Sequence, residues 1–334
     1  CVRCAKLSGS FEVKEDTVTR TCVQACAPVT KFDRMVNHNN TIAFEPAPQR
    51  EYDMAVRSAA ALKPAKPYTG DKGIKLGDVF DGKAELEDFV AQLSDEDLIC
   101  LMRGEGMNSP KVTAGTAGAF GGVTENLVNF GIPTACCADG PSGIRMDCGT
   151  MAYALPNGTL LACTFDPELV EELYEMEGME LRKNKIDSLL GPGINIHRNP
   201  LNGRNFEYFS EDPYHAGKMA AAYVKGIQSK GISACPKHFA ANSQELRRMA
   251  SDSVVDERTF REIYTTGFEI AVKEGKSKSI MSSYNEVNGV YANENRHMLQ
   301  EILVDEWGFD GYVVSDWGGS NDHALGVMNG SHLE

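Results

Sequence analysis

No run in this sequence approaches the roughly 20 consecutive apolar residues of a membrane-spanning helix, so no such crossing is expected. Positive charge is also scarce: 33 Lys and Arg stand against 47 Asp and Glu, a formal net charge of −14. A balance of that sign repels phosphate backbones and anionic lipid surfaces, which argues against nucleic acid and membranes as partners. Internal repeats and low-complexity tracts are missing. So is the glycine-rich phosphate loop of a doubly wound nucleotide fold. "GTAGAFGG", Gly115 to Gly122, has the glycines but no flanking strand and opening helix, and reads as a flexible loop. With 42% hydrophobic and 24% charged residues over 334 positions, what remains is an ordinary globular composition with enough chain for a sizeable core.

Ten cysteines are present. Six of them, Cys100, Cys136, Cys137, Cys148, Cys163 and Cys235, are scattered through apolar segments, as expected of small buried hydrophobes in a reducing compartment, and so of a cytoplasmic protein. Cys1, Cys4, Cys22 and Cys26 come close to zinc-ribbon spacing, but the segment between them alternates like sheet and places no turn glycines beside the thiols. No metal or other cofactor is expected. The sequence opens on Cys1, not Met, so further residues encoded upstream are expected.

Residues 1–30 read as strand and hairpin material, with Phe11, Val13, Val18 and Thr21 in a loose period of two. Residues 31–83, rich in Pro and Gly, read as a linker with one short helical stretch near "REYDMAVRSAAAL". From residue 84 the pattern changes. Leu86, Phe89, Val90, Leu93, Leu98 and Leu101 fall near helical spacing, with a capped restart at Ser94. Short apolar runs then alternate with amphipathic helices at 167–185, 213–230, 256–275 and 296–307. Repeated strand and helix units of this kind imply parallel pairing with helices outside.

Polar residues fall where such a fold builds active sites. The apolar runs end in Asp139, in Lys237 with His238, in Tyr284 with Asn285, and in Asp316, the last within "GYVVSDWGGSND". Strand C-termini gather on one face of a (β/α)8 TIM-like barrel, and about 250 residues suffice for one. The expectation is an α/β barrel over residues 84–334, incomplete at its C-terminal end and preceded by a short β segment and linker.

Five motifs, "DGPSGIR", "GPGINIHRNPLNGRNFEYFSEDP", "KHFAANSQELRR", "MSSYNEVNG" and "GYVVSDWGG", resemble in order and spacing the barrel domain of glycoside hydrolase family 3, in its β-glucosidase branch. The resemblance implies a retaining β-glycosidase that removes terminal β-D-glucosyl residues, with Asp316 as nucleophile. It also implies a sugar pocket lined by Asp139, Arg145, Arg204, Lys237, His238, Arg248, Tyr284 and Trp317. In that branch the general acid/base is a Glu on a separate α/β sandwich domain, which these residues do not contain. Residues 1–30 resemble the last strands of a fibronectin-III-like domain, which in members with permuted domain order precedes the barrel. The expected partners are thus a β-glucoside or oligosaccharide and a sandwich domain, in cis or from another chain.

The chemistry of the residues agrees with these roles. Charge-assisted hydrogen bonds hold sugar hydroxyls well, so Asp139 accepting from two of them while Lys237 and His238 donate to others is sensible. Arg145, Arg204 and Arg248 can keep Asp316 ionised, Tyr284 can donate to its carboxylate, and Trp317 offers an apolar wall. Alternatives remain. Asp316 could cap the next helix, although Ser320 or Asn321 suits that better; Lys237 could form a Schiff base as in aldolases; the arginines could serve plain salt bridges. Glu207 reads as structural, and Asp252, Asp256 and Glu257 as a solvated helix start. A sugar-binding module with little turnover is the alternative function.

Overall fold

The computed structural model describes residue 25 and residues 27–29, 31–51 and 53–334. The cysteine quartet and most of the expected strand segment in residues 1–30 lie outside the described residues. The expected linker is more structured than its composition implies. Strands β1 (Asp33–His38) and β2 (Thr41–Pro46) form an antiparallel hairpin. Asn39 and Asn40 turn it with φ of 51° and 66°, the left-handed pair that a two-residue hairpin turn requires and Asn tolerates. Helix α1 (Met54–Ala61) is capped by Asp53. Its Arg57 pairs with Glu301 at 2.5 Å, and its Ser58 hydroxyl donates to Asn329 Oδ1 at 2.7 Å. These contacts fasten the segment to the outer helices.

Helices α2 (Leu76–Phe80), α3 (Leu86–Ala91) and α4 (Asp95–Arg103) follow. As the sequence predicts, Ser94 restarts the chain: its hydroxyl accepts from Asp97 N while Asp97 accepts from Ser94 N, a reciprocal cap that satisfies two otherwise orphaned amides. The glycine-rich stretch read as a loop is instead strand β3 (Gly118–Gly121), antiparallel to β4 (Thr134–Asp139) across α5 (Glu125–Asn129). A Cβ at Gly118 would stand 2.6 Å from Glu105 O, so glycine there permits the strand's close approach to its neighbour.

The parallel part continues through α6 (Gly158–Ala162), α7 (Pro167–Lys183), β5 (Ser188–Leu190), α8 (Pro213–Gln228) and β6 (Ser233–Ala234). Next come β7 (Asp252–Ser253), α9 (Glu257–Thr259), a wide π turn over Phe260–Thr265, and α10 (Thr266–Lys273). The chain closes with β8 (Ser279–Ser282), β9 (Glu286–Val287), β10 (Val290–Tyr291), a π-helical segment His297–Glu306, β11 (Tyr312–Ser315) and α11 (His323–Asn329). The sheet order is β3-β4-β5-β6 in one ladder and β11-β8 in another, with β10-β9-β7 a small sheet apart. Phe239 N donates to Met281 O at 2.7 Å and Met281 N to Pro236 O at 3.0 Å, joining the two ladders, and Glu334 N donates to Met102 O at 2.9 Å. The fold is thus α/β and barrel-like, but it departs from the eight parallel strands expected. Among the described residues the ladder is broken in two and β3 runs the other way.

Strand alternation sorts the core into two layers. Ala138, Leu189, Ala234, Ile280 and Val313 point outward into a large cluster with Val170, Tyr174 and Leu181 of α7 and Met219, Tyr223 and Ile227 of α8. Cys137, Leu190, Cys235, Met281 and Val314 point inward and pack on one another. Two thiols expected to be buried, Cys148 and Cys163, are exposed, and Cys100 is intermediate. Asp322, rather than Ser320 or Asn321, caps α11. Glu257, expected in solvent, is fully buried against Arg261 and His297.

Helices α7 and α8 touch closely at Gly226, where a Cβ would collide with Glu171 O. In an open helix interior, Gly226→Ala would stabilise by roughly 0.5–1 kcal/mol. Here it is expected to destabilise by about 1–3 kcal/mol, because the added methyl overpacks the seam. Denaturant unfolding checks the sign; a gain in stability would contradict the close contact.

Candidate active site

The inward alternation continues past each strand's last apolar residue. Two positions beyond Cys137, Cys235 and Val314 come Asp139, Lys237 and Asp316, again facing inward at the C-terminal mouth. They line a cavity of about 340 Å³ together with Arg145, Arg204, His238, Arg248 and Trp317, a size suited to a small polar ligand. Leu190 and Met281 form its floor.

Lys237 is buried, and its Nζ donates to Asp139 Oδ1 at 2.6 Å. Burial alone would raise the Asp139 pKa, but the Lys237 cation and its hydrogen bond outweigh that and hold it below the usual value. His238 is buried too. Arg204 Nη1 donates to its Nε2 at 2.9 Å, which leaves the ring proton on Nδ1, facing the Tyr208 hydroxyl at 3.2 Å and Asn195 Oδ1 at 3.3 Å. Asn195 also clamps the His238 backbone, accepting from its N–H and donating to its carbonyl. Burial, then Arg204, Lys237 and Arg248, push the imidazole pKa well down, so the ring is neutral. Its Nε2 is therefore an acceptor, not the sugar donor expected.

Each arginine is tied to a carboxylate close in sequence. Arg204 pairs with Glu207, Arg248 with Glu245 at 3.0 Å, and Arg145 with Asp147 at 2.9 Å. Arg248 also lies over the Tyr284 ring, 4.5 Å from its centroid, a cation–π arrangement. Glu207, read from the sequence as structural, holds Arg204 in their ion pair. Tyr284 donates to Trp317 O at 2.6 Å, with the Asp316 carboxylate beside its hydroxyl. Burial first, and the Asp316 charge second, push its hydroxyl to about 12, which keeps it protonated. Alone among the expected pocket residues, Tyr284 does not line the cavity; it braces the Trp317 backbone instead.

Asp316 itself is held on one side only. Its Oδ1 accepts from Trp317 N at 3.0 Å, while Oδ2 stands 3.5 Å from His238 Nε2 and has no hydrogen-bond donor among the described residues. The arginines were expected to hold its pKa down. Burial prevails, and the shift is upward despite Lys237, Arg204 and Arg248. Residues that the sequence reading passed over complete the site: Asn195, Tyr208, Glu245, Asp147 and Met107. Of these, Glu245 carried a local signal, the i,i+3 spacing to Arg248.

The chain matches the model of the glycosyl hydrolase family 3 N-terminal domain over residues 80–329. It is 52% identical over 316 residues to a beta-glucosidase of Ruminococcus albus, covering 95% of this chain and 33% of that protein. A beta-glucosidase structure from Paenibacillus barengoltzii superposes with a TM-score of 0.90 at 54% identity, covering 94% of this chain and 36% of that one. The chain belongs to glycosyl hydrolase family 3. It spans about a third of the length of these relatives. A relative with a different name, the exo-alpha-(1->6)-L-arabinopyranosidase of Bifidobacterium longum, is 41% identical over 230 residues, covering 66% of this chain and 30% of that protein.

Lys237→Met leaves Asp139 without its cation. Breaking a fully buried pair costs about 3–5 kcal/mol, so the expected loss at neutral pH is about 1–3 kcal/mol because Asp139 is partly exposed. The pair's contribution is present above the unfolded Asp pKa of about 3.9 and is lost as pH falls through the lower folded value. Denaturant midpoints of both proteins across the acid range measure it. A constant difference down to the acid limit would assign the loss to packing alone.

Proposed function

We propose that this chain carries the nucleophile and the sugar pocket of a retaining β-glucosidase acting on terminal non-reducing β-D-glucosyl residues. One observation supports this above others: Asp316 Oδ2 is a buried carboxylate oxygen without a donor among the described residues, on a wall shared with Asp139 and Lys237. In the proposed step Oδ2 bonds to the anomeric carbon as the bond to the leaving oxygen breaks, and a general acid protonates that oxygen. Water then attacks the glycosyl ester with the same group acting as base. Arg204, Arg248 and Lys237 oppose the rise in the Asp316 pKa and so favour the anion the attack needs. Asp139 and Lys237, already oriented by each other, offer an acceptor and a donor to vicinal hydroxyls.

The general acid must be protonated at the start, and Asp139, its pKa held down by Lys237, is unsuited to that role. We place the acid/base Glu on an α/β sandwich domain outside these residues, in cis in a permuted order or from another chain. The third-length match to the relatives fits that arrangement. An aldolase-type Lys237 is disfavoured, because its Nζ is already engaged by Asp139 Oδ1 at 2.6 Å rather than free to attack a carbonyl. Glucose is the sugar we favour, from the names of the most similar relatives.

An activated aryl 2-fluoro-glucoside needs little leaving-group protonation. It should therefore label the isolated chain on Asp316, with a slow burst of aryl alcohol seen by absorbance and a one-sugar mass increase on the Asp316 peptide. Ordinary glucosides should turn over about 10²- to 10⁴-fold more slowly than with a general acid in place. Labelling should fail in Asp316→Asn. It should also fall off in acid at a higher pH than an ordinary Asp would dictate, since the folded pKa is raised. No label at any pH would sink the reading, and borohydride trapping on Lys237 would favour the aldolase.

A further inference from the structure

Asp139 leads into a tight turn through Arg145. The turn closes on itself where Arg145 N donates to Asp139 O at 2.8 Å. Gly140 and Gly143 adopt φ of 125° and 117°. Helix α7 lies behind the turn and supports it from two adjacent helical positions, i and i+3. Tyr174 Oη donates to Pro141 O at 2.8 Å. Glu177 is buried, and no side-chain donor reaches either of its carboxyl oxygens among the described residues. Its neighbours offer no compensating cation. Tyr174 and Glu180 stand on its own helix, and Tyr223 of α8, whose hydroxyl is likewise unpartnered, stacks on Tyr174 with ring centroids 3.7 Å apart. From the turn itself only the Gly143 amide favours the anion. Lys230, which flanks Gly178 on the same helix, is engaged by Glu175, and Arg145 by Asp147.

A buried carboxyl in an apolar wall is tolerable when neutral and costly when charged. We propose that Glu177 is a positioning residue for the Asp139 turn: a neutral carboxyl packed behind it, whose ionisation displaces the turn and withdraws Asp139 from the sugar. The proposal rests on the sugar-pocket reading for its functional half. Burial raises the Glu177 pKa to about 8, which sets two separate pH windows. Because the unfolded chain ionises this group at about 4.3 and the folded chain does not, stability declines as pH rises from there to about 8 and then levels. Ionisation inside the fold begins only near the upper value, so loss of sugar capture belongs above about pH 8.

Glu177→Gln keeps the shape and removes the charge. On the full 334-residue chain, the Tm of wild type relative to Glu177→Gln is expected to fall between about pH 5 and 8 and then stay constant. The rate of Asp316 labelling by the 2-fluoro-glucoside should drop about tenfold per pH unit above about 8 in wild type and stay level in the variant. A Tm difference independent of pH, or the same alkaline limb in both proteins, overturns the proposal. Should the variant fail to fold, infrared titration of wild type decides: a protonated-carboxyl band lost between about pH 7 and 9 supports the assignment, and its absence at neutral pH refutes it. If no labelling occurs at any pH, the sugar reading fails, while the Tm and infrared results still decide the state of Glu177.

Discussion

The two-residue repeat of a β-strand governs this molecule. Each parallel strand must bury one face against helices and the other against the barrel interior, so an inward residue has inward neighbours only two positions away. Cys137, Cys235 and Val314 fill the interior with small or branched apolar groups, and Asp139, Lys237 and Asp316 follow them in register. The pocket is the first inward layer past the plug. A one-residue slip of any of these strands would send a charge into the helix-facing core, where nothing compensates it.

That placement creates an electrostatic problem, and the pairings show how it is met. Three arginines and a lysine crowd a space that also holds Asp139 and Asp316. Each arginine is claimed by a carboxylate close to it in sequence, Glu207, Glu245 or Asp147, so the loops arrive with their charge already balanced. Lys237 is claimed by Asp139. Asp316 is left with cations nearby but, among the described residues, no direct donor on Oδ2. A carboxylate saturated with hydrogen bonds is stable and a poor nucleophile. One that lies close to positive charge with one oxygen unbonded keeps a free lone pair on that oxygen.

Much of this was legible in sequence because the strand alternation and the strand-end side chains are local signals. The helices at 167–185, 213–230 and 296–307 were readable from apolar spacing and sit within a few residues of their observed bounds. The misses share a physical cause. β3 is glycine-rich because it must approach the Glu105 backbone, so its packing reason lies in a partner 13 residues away and leaves no propensity signal. The β1–β2 hairpin hides its turn in Asn39-Asn40, two residues without glycine. Tyr284, His238 and Asp316 were placed in the right neighbourhood, but their hydrogen bonds depend on loops from Asn195, Tyr208 and Trp317 that only the fold brings together. The sign of the Asp316 shift was misjudged because counting nearby cations is easy from sequence, whereas the depth of burial is not.

The two pocket carboxylates illustrate how far environment, rather than residue type, assigns chemistry. Asp139 and Asp316 end equivalent strands and face one cavity, yet one has its pKa lowered and the other raised. The difference follows from contact: Lys237 bonds Asp139 directly, whereas it acts on Asp316 only through space. Moving that ammonium from one carboxylate to the other would exchange their roles. Burying Asp316 further would neutralise it, and bonding its Oδ2 would occupy it. The observed arrangement, deep but with one oxygen unclaimed, lies between those two failures.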